Sequence, residues 1–158
     1  ASMEPVMWKK ILETIIYLKE RGLRVDGIGW QAHLKDIEDL AMDKEQLDFL
    51  ASLIDWTHAN GMDFHVTEMD YRIQDDPPLN KSLQRQSAAY SNIIKVLISR
   101  KDNGVVTFNT WGMIDRPGVH TGGYRFLFNK DLTPKPAMFA VKRTLMNKDT
   151  SLVLKKNE

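Results

Sequence analysis

Amide, imidazole, carboxylate and indole side chains recur along the chain, each time where an extended segment ends. They are Gln31 and His33 after the first segment, Glu68 and Asp70 in the second, and Trp111 and Asp115 at and beyond the third. Residues two apart in an extended segment share a face, so Gln31 should accompany His33 and Glu68 should accompany Asp70. These groups suit carboxylate chemistry on a sugar, because an indole stacks on a pyranose face while amide and imidazole groups bond its hydroxyls.

Each of these residue types also has a structural interpretation. A carboxylate at a strand end is commonly an acceptor in a turn or cap, a single histidine is commonly held by hydrogen bonds, and a tryptophan is commonly part of the core. Three extended segments nevertheless end independently in polar or indole groups. That convergence favours a functional site over unrelated structural roles.

The hydrophobic spacing predicts helices and strands in alternation. Apolar residues three and four apart indicate helices, and short β-branched, aromatic or alternating runs indicate strands. The predicted helices cover residues 4–21, 43–60, 79–100 and 136–145, and the predicted strands cover 25–30, 64–70 and 105–111. Such alternation implies an α/β fold with parallel strands and right-handed crossovers. In these folds ligands bind beyond the carboxyl ends of the strands, where the six residues are placed.

Other chemistries lack their motifs in this sequence. Residues 26–29 (DGIG) have neither the following helix nor the third glycine of a dinucleotide-binding loop, and no G-x-S-x-G turn occurs. The four histidines show no metal-ligand spacing, and the absence of cysteine excludes disulfides, thiolate metal sites and thiol catalysis. We therefore expect no metal and no cofactor.

Charge and hydropathy exclude further classes of partner. The chain has 22 basic and 21 acidic residues in 158, without the basic stripe of a nucleic-acid binder or a polybasic membrane module. No apolar run approaches the roughly 20 residues that span a bilayer. The apolar pattern places one domain in residues 1–146 and a polar tail in residues 147–158.

Four segments occur in an order and at spacings that match a known enzyme family. They are residues 26–34 (DGIGWQAHL), 65–70 (HVTEMD), 110–115 (TWGMID) and 126–137 (FLFNKDLTPKPA). Together they resemble the C-terminal part of glycoside hydrolase family ten, the retaining endo-1,4-beta-xylanases. The resemblance implies a (β/α)8 TIM barrel, of which this chain would hold strands six to eight with their helices. Because that barrel needs roughly 250 residues, 158 residues correspond to a portion of it.

The resemblance also implies roles for the strand-end residues. Glu68 matches the catalytic nucleophile, His33 the residue beside it, and Asp70 the carboxylate that orients the histidine. For substrate binding, Gln31 matches a polar group of the same subsite and Trp111 the indole that forms its floor. Asp115, in the third matching segment, completes the predicted substrate-binding set.

Two departures from the family pattern stand out. The family's second tryptophan, eight residues after the first, is replaced by Val119, which puts one wall of the sugar site in doubt. Retaining hydrolysis also needs a second carboxyl group about 5 to 5.5 Å from the nucleophile. The family places that glutamate at the end of its fourth strand, N-terminal to everything present here, so we expect this chain to be inactive alone.

Several alternatives remain open from the sequence. The chain could be a non-catalytic carbohydrate-binding or pseudo-enzyme domain, or a small open α/β domain with fortuitous matches. The expected partners are xylan or xylo-oligosaccharides. Exposed sheet edges and an apolar inner face further predict either a dimer or a complex with the missing half of the barrel. The compartment is undetermined, although the resemblance implies secretion or a periplasmic location.

Overall fold

The computed structural model describes residues 5–36, 42–116 and 123–146. Within those ranges helices and parallel strands alternate, as the hydrophobic pattern predicts. In chain order the elements are α1 (Pro5–Glu20), β1 (Gly27–Trp30), β2 (His33–Lys35), α2 (Lys44–Ala59), β3 (Asp63–Arg72), α3 (Asn80–Ile98), β4 (Val106–Thr110) and α4 (Pro136–Met146). Val119 and the predicted tail at 147–158 lie outside the described residues. None of the described helices is both long and apolar enough to cross a membrane.

Helix α2 shows how local signals set helix boundaries. The side chain of Asp43 accepts a hydrogen bond from the backbone N–H of Gln46 at 2.9 Å, which satisfies one of the unpaired donors of the first turn. At the other end Asn60 is the C-cap, and Gly61 has a φ of +68°, a left-handed conformation that glycine adopts without strain. Both boundaries agree with the sequence prediction.

Strand β3 is the centre of the sheet. It pairs in parallel with β1 along residues 63–66, with β2 along residues 70–72, and with β4 from Phe64 to Met69. The sequence pattern ended the first strand at Trp30 and did not predict β2. The break lies at Ala32, which is fully buried and has a φ of +57°, an uncommon conformation for a residue with a Cβ. Pairing then resumes and places His33 opposite Asp70.

The hydrophobic core lies on one face of this sheet. Ile28 pairs in register with Phe64, and Trp30 with Val66, and all four side chains are buried. Helices α2 and α3 both pack against β3, and they add to the same core the buried residues Leu50, Leu53, Ile54, Tyr90, Ile93, Ile94 and Leu97. A slip of one residue would turn every buried side chain to the opposite face, so burial of this face specifies the register.

The opposite face of the sheet is polar. By alternation along the strands it carries Gly29, His65 and Thr107, which are in register with one another, and Nδ1 of His65 lies 3.0 Å from Oγ1 of Thr107. Thr67 and Asn109 continue this face and are exposed. The expectation of an apolar inner face is therefore wrong, because glycine, hydroxyl, imidazole and amide groups occupy the positions that alternate with the core.

Candidate functional site

Glu68 lies where strand β3 departs from regular pairing. The register between β3 and β4 shifts between Val66 and Met69, and Glu68 lies inside this irregularity. Such bulges redirect side chains and are common beside active sites. The Glu68 carboxylate is partly buried, and its Oε2 lies 3.1 Å from Nε2 of His33. Two residues from different strands thus form one polar contact at the carboxyl end of the sheet.

His33 faces a second carboxylate with its other ring nitrogen. Its Nδ1 lies 3.3 Å from Oδ2 of Asp70, the residue directly opposite it in the β2–β3 pairing. The Asp70 side chain is only 2% exposed, whereas that of His33 is about one-third exposed. The imidazole therefore stands between one accessible and one buried carboxylate. Glu68 and Asp70 thus lie in one region, facing the same imidazole, and their roles in a site stay a prediction.

Trp111 completes the cluster at the end of β4. Its indole meets the His33 ring edge to face, with centroids 5.9 Å apart and an angle of 87° between the planes. Its backbone N–H donates to the carbonyl oxygen of Met69 at 3.1 Å. The side chain is 60% exposed, so most of the indole is open to a ligand. An exposed indole beside polar groups is suited to stacking on a sugar ring.

Gln31 does not follow the predicted alternation with His33. It lies exposed at the end of β1, and the left-handed conformation of Ala32 separates it from β2. The two-residue rule holds only within a continuous strand, and this strand is interrupted. The structure therefore unites His33, Glu68, Asp70 and Trp111, while Gln31 lies on the neighbouring segment.

Asp115 is placed away from the ligand-accessible surface. Its Oδ1 accepts the backbone N–H groups of Arg125 at 2.8 Å and Phe126 at 2.7 Å, and its Oδ2 lies 2.7 Å from Nζ of Lys135. Asp115 and Lys135 are each 1% exposed. A carboxylate buried with these partners cannot meet a sugar hydroxyl, so the structure does not support the predicted substrate-binding role of Asp115. It organises the chain that follows β4 instead.

Sequence reasoning missed Arg125. Its Nη1 lies 3.2 Å from Oδ2 of Asp70, the same oxygen that faces His33. The two residues are 55 positions apart, and neither periodicity nor a motif links them. The burial of Asp70 indicates that some partner exists, since a carboxylate this deeply buried requires a cationic or hydrogen-bonding group, but it does not identify Arg125.

The described residues, 5–36, 42–116 and 123–146, contain no group of three or more histidine or carboxylate side chains arranged to hold a metal ion. The donors at the cluster are two carboxylates placed on opposite sides of one imidazole. This arrangement engages both ring nitrogens with protein groups.

Comparison with known proteins identifies the family of this chain. Residues 4–144 match the model of glycosyl hydrolase family 10. Endo-1,4-beta-xylanase B of Thermotoga neapolitana is 28% identical over 138 residues, which are 83% of this chain and 37% of that protein. Endo-1,4-beta-xylanase A of Fusarium oxysporum f. sp. lycopersici is 30% identical over 135 residues, covering 81% of this chain and 40% of that protein.

Solved structures agree with the fold. Native xylanase 10B from Thermotoga maritima superposes with a TM-score of 0.71 at 27% identity, over 85% of this chain and 41% of that one. Xylanase 10B from Thermotoga petrophila RKU-1, solved in complex with xylobiose, also gives 0.71 at 27% identity, over 85% and 40% of the two chains. The chain thus spans about two fifths of the length of these relatives. It belongs to glycosyl hydrolase family 10, and its parallel sheet and helices are a C-terminal portion of that family's (β/α)8 barrel.

Proposed function

We propose that this chain carries the nucleophile side of a retaining site that hydrolyses β-1,4-xylan, with Glu68 as the nucleophile. The observation that carries the proposal is the 3.1 Å contact between Glu68 Oε2 and His33 Nε2, at the level where β1 and β4 end their pairing with β3. Parallel strands of barrel enzymes present their catalytic groups at their carboxyl ends. The family membership and the xylobiose complex of the Thermotoga petrophila relative support a xylo-oligosaccharide as the ligand.

The residues around Glu68 suit this role. A carboxylate nucleophile must be ionised when it attacks the anomeric carbon, and a hydrogen bond from Nε2 of His33 stabilises that charged form. Asp70 lies on the far side of the imidazole and orients the ring. Trp111 offers an open indole face on which the reacting sugar can stack.

The acid that protonates the leaving oxygen has no candidate in this cluster. Asp70 is the other carboxylate that faces His33, but it is nearly inaccessible and lies against Arg125. It therefore cannot serve as the acid, a carboxyl group that retaining hydrolysis places about 5 to 5.5 Å from the nucleophile and within reach of the glycosidic oxygen. We propose that the acid comes from the complementary part of the barrel, and that the isolated chain leaves xylan intact.

A non-catalytic carbohydrate-binding role is the second candidate. The 60% exposure of Trp111 favours it, since an open indole beside His33 can bind a sugar without turnover. The two functions differ in one respect that an experiment can measure. Only the first requires a bond between Glu68 and the sugar.

An activated aryl glycoside tests Glu68 without the missing acid. Dinitrophenolate leaves without protonation, so in 2,4-dinitrophenyl β-xylobioside a Glu68 oxygen can bond to C1 while the bond from C1 to the aryl oxygen breaks. Azide then bonds to C1 and displaces the Glu68 carboxylate, which needs no general base. We expect the chain to release at most about one equivalent of dinitrophenolate, to continue only with azide, and to release no sugar from xylan.

Two carboxylate variants make this test specific. Glu68→Gln should abolish the release, whereas Glu13→Gln on exposed α1 should leave it unchanged. Release that persists in Glu68→Gln would remove Glu68 as the nucleophile, and Glu68-dependent cleavage of xylan would contradict the missing acid. Calorimetry with xylobiose separates the second candidate. Binding that Trp111→Ala abolishes, without any dinitrophenolate release, would assign a binding role.

A further inference from the structure

We propose that Arg125 is a positioning residue for the Glu68 site. Its guanidinium holds Asp70 and partly neutralises it, so that His33 can keep a proton on Nε2 for Glu68. The proposal rests on Glu68 being the functional carboxylate. It assigns to Arg125 a role that acts through Asp70 and His33, without contact with the sugar.

One oxygen atom links Arg125 to the imidazole. Oδ2 of Asp70 lies 3.2 Å from Nη1 of Arg125 and 3.3 Å from Nδ1 of His33. The side chain of Asp70 is 2% exposed and that of Arg125 is 17% exposed, so water screens this contact weakly. The charge of Arg125 therefore acts at the site where the His33 ring is held.

Arg125 is itself fixed by its backbone. Its N–H donates to Oδ1 of Asp115 at 2.8 Å, and its carbonyl oxygen accepts from the backbone N–H of Tyr71 and the hydroxyl of Tyr90, each at 3.2 Å. Asp115 is in turn paired with buried Lys135. The guanidinium thus extends from a rigid point, which gives buried Asp115 a function in the site although it cannot reach a ligand.

His33 lies between two carboxylates but has only one proton to donate when it is neutral. A neutral imidazole has one N–H, yet carboxylates face both of its nitrogens. A hydrogen bond and a positive charge from Arg125 stabilise ionised Asp70 without a proton from the ring. Without Arg125, buried Asp70 would draw the single ring proton to Nδ1, and Nε2 would face the Glu68 carboxylate with no hydrogen to donate.

Side-chain ¹⁵N NMR of the full chain at pH 7.5 tests this directly. In the unaltered chain we expect Nδ1 of His33 to resonate as the pyridine-type nitrogen. In Arg125→Met the pyridine-type resonance should belong to Nε2 instead, and Arg125→Lys should restore it to Nδ1. Arg72→Met removes the same charge from an exposed position on β3 and should leave His33 unchanged. If the methionine variant does not fold, Arg125→Gln, which is neutral but still a hydrogen-bond donor, should change the His33 nitrogen resonances in the same way.

The functional arm uses the dinitrophenyl substrate. Misplacement of a catalytic group by about 1 Å can cost up to about a hundredfold in rate, so Arg125→Met should lower the Glu68-dependent release by up to that factor with little change in KM. The proposal is overturned if both neutral variants keep the pyridine-type resonance on Nδ1, as in the unaltered chain, or if Arg72→Met moves it as well. The NMR measurement does not depend on turnover. If Glu68→Gln shows that Glu68 is not the nucleophile, the NMR result still decides whether Arg125 controls the proton on His33.

Discussion

Lys135 is the most deeply buried cation among the residues that the structure describes. It lies between Pro134 and Pro136 at the start of α4, and its Nζ is 2.7 Å from Oδ2 of Asp115. Burial lowers the pKa of Lys135 below its ordinary value, and Asp115 opposes that shift. The pair joins the chain after β4 to the start of α4. The pair contributes to the stability of the fold only when both charges are present, because either charge alone would be buried without its partner.

Substitution of Lys135 should therefore destabilise the fold strongly. Lys135→Met leaves Asp115 buried without its cation, and we expect the free energy of unfolding to fall by about 3 kcal/mol. Urea denaturation followed by circular dichroism measures this change. Lys130→Met alters an exposed lysine five positions away and should change stability by less than about 0.5 kcal/mol. Equal effects of the two substitutions would show that the buried pair contributes nothing specific.

At the scale of elements, Asp36 connects the end of β2 to β3 and α3. Its carboxylate accepts from Nε of Arg85 at 2.6 Å, from Nη2 of Arg85 at 2.9 Å and from the hydroxyl of Tyr71 at 2.9 Å. Its backbone N–H donates to the carbonyl oxygen of Arg72 at 2.8 Å. Burial by itself raises the pKa of Asp36, but hydrogen bonds, chiefly from Arg85, outweigh it and hold the pKa below its ordinary value.

This lowered pKa predicts a pH-dependent contribution to stability. Because the folded state binds the proton of Asp36 more weakly than the unfolded state, the contribution is complete above about pH 5 and is lost as the pH falls below about 4. Asp36→Asn should lower the unfolding free energy by about 1.5 to 3 kcal/mol at pH 7 and by much less near pH 2.5. Urea melts at both pH values test this, with exposed Asp102→Asn as the control. A deficit independent of pH would contradict the assignment.

The elements also show what the sequence could and could not predict. The four helices and strands β3 and β4 agree with the pattern to within a few residues, because burial on one face imposes a period on the sequence. Strand β2 is missed because it is short and follows Ala32, whose left-handed backbone has no sequence signal. Arg125 is missed, and the burial of Asp115 is not predicted, for a different reason. Their partners are distant in sequence, and no local rule indicates which carboxylate is buried.

At the scale of the whole molecule, the sheet presents two edges and a polar face. Within the described ranges, β1 and β4 are each paired on one side only, to β3. The face of the sheet between these edges is lined by glycine and by polar side chains. A side chain at Gly27 would not fit there, because its Cβ would lie 2.9 Å from the carbonyl oxygen of Asp63. Association through an apolar inner face is therefore unsupported. The backbone groups of the two edge strands are the remaining basis for pairing.

These edges predict self-association through strand addition. An edge strand presents unpaired N–H and C=O groups to another chain, and a charged side chain beside the edge opposes such pairing. Sedimentation velocity of the chain should show species larger than a monomer at high concentration. Asn109→Lys on edge strand β4 should weaken the association. Gln84→Lys adds the same charge to the exposed face of α3 and should leave the association unchanged. A folded monomer at every concentration, or equal effects of the two lysines, would show that the edges remain unpaired in solution.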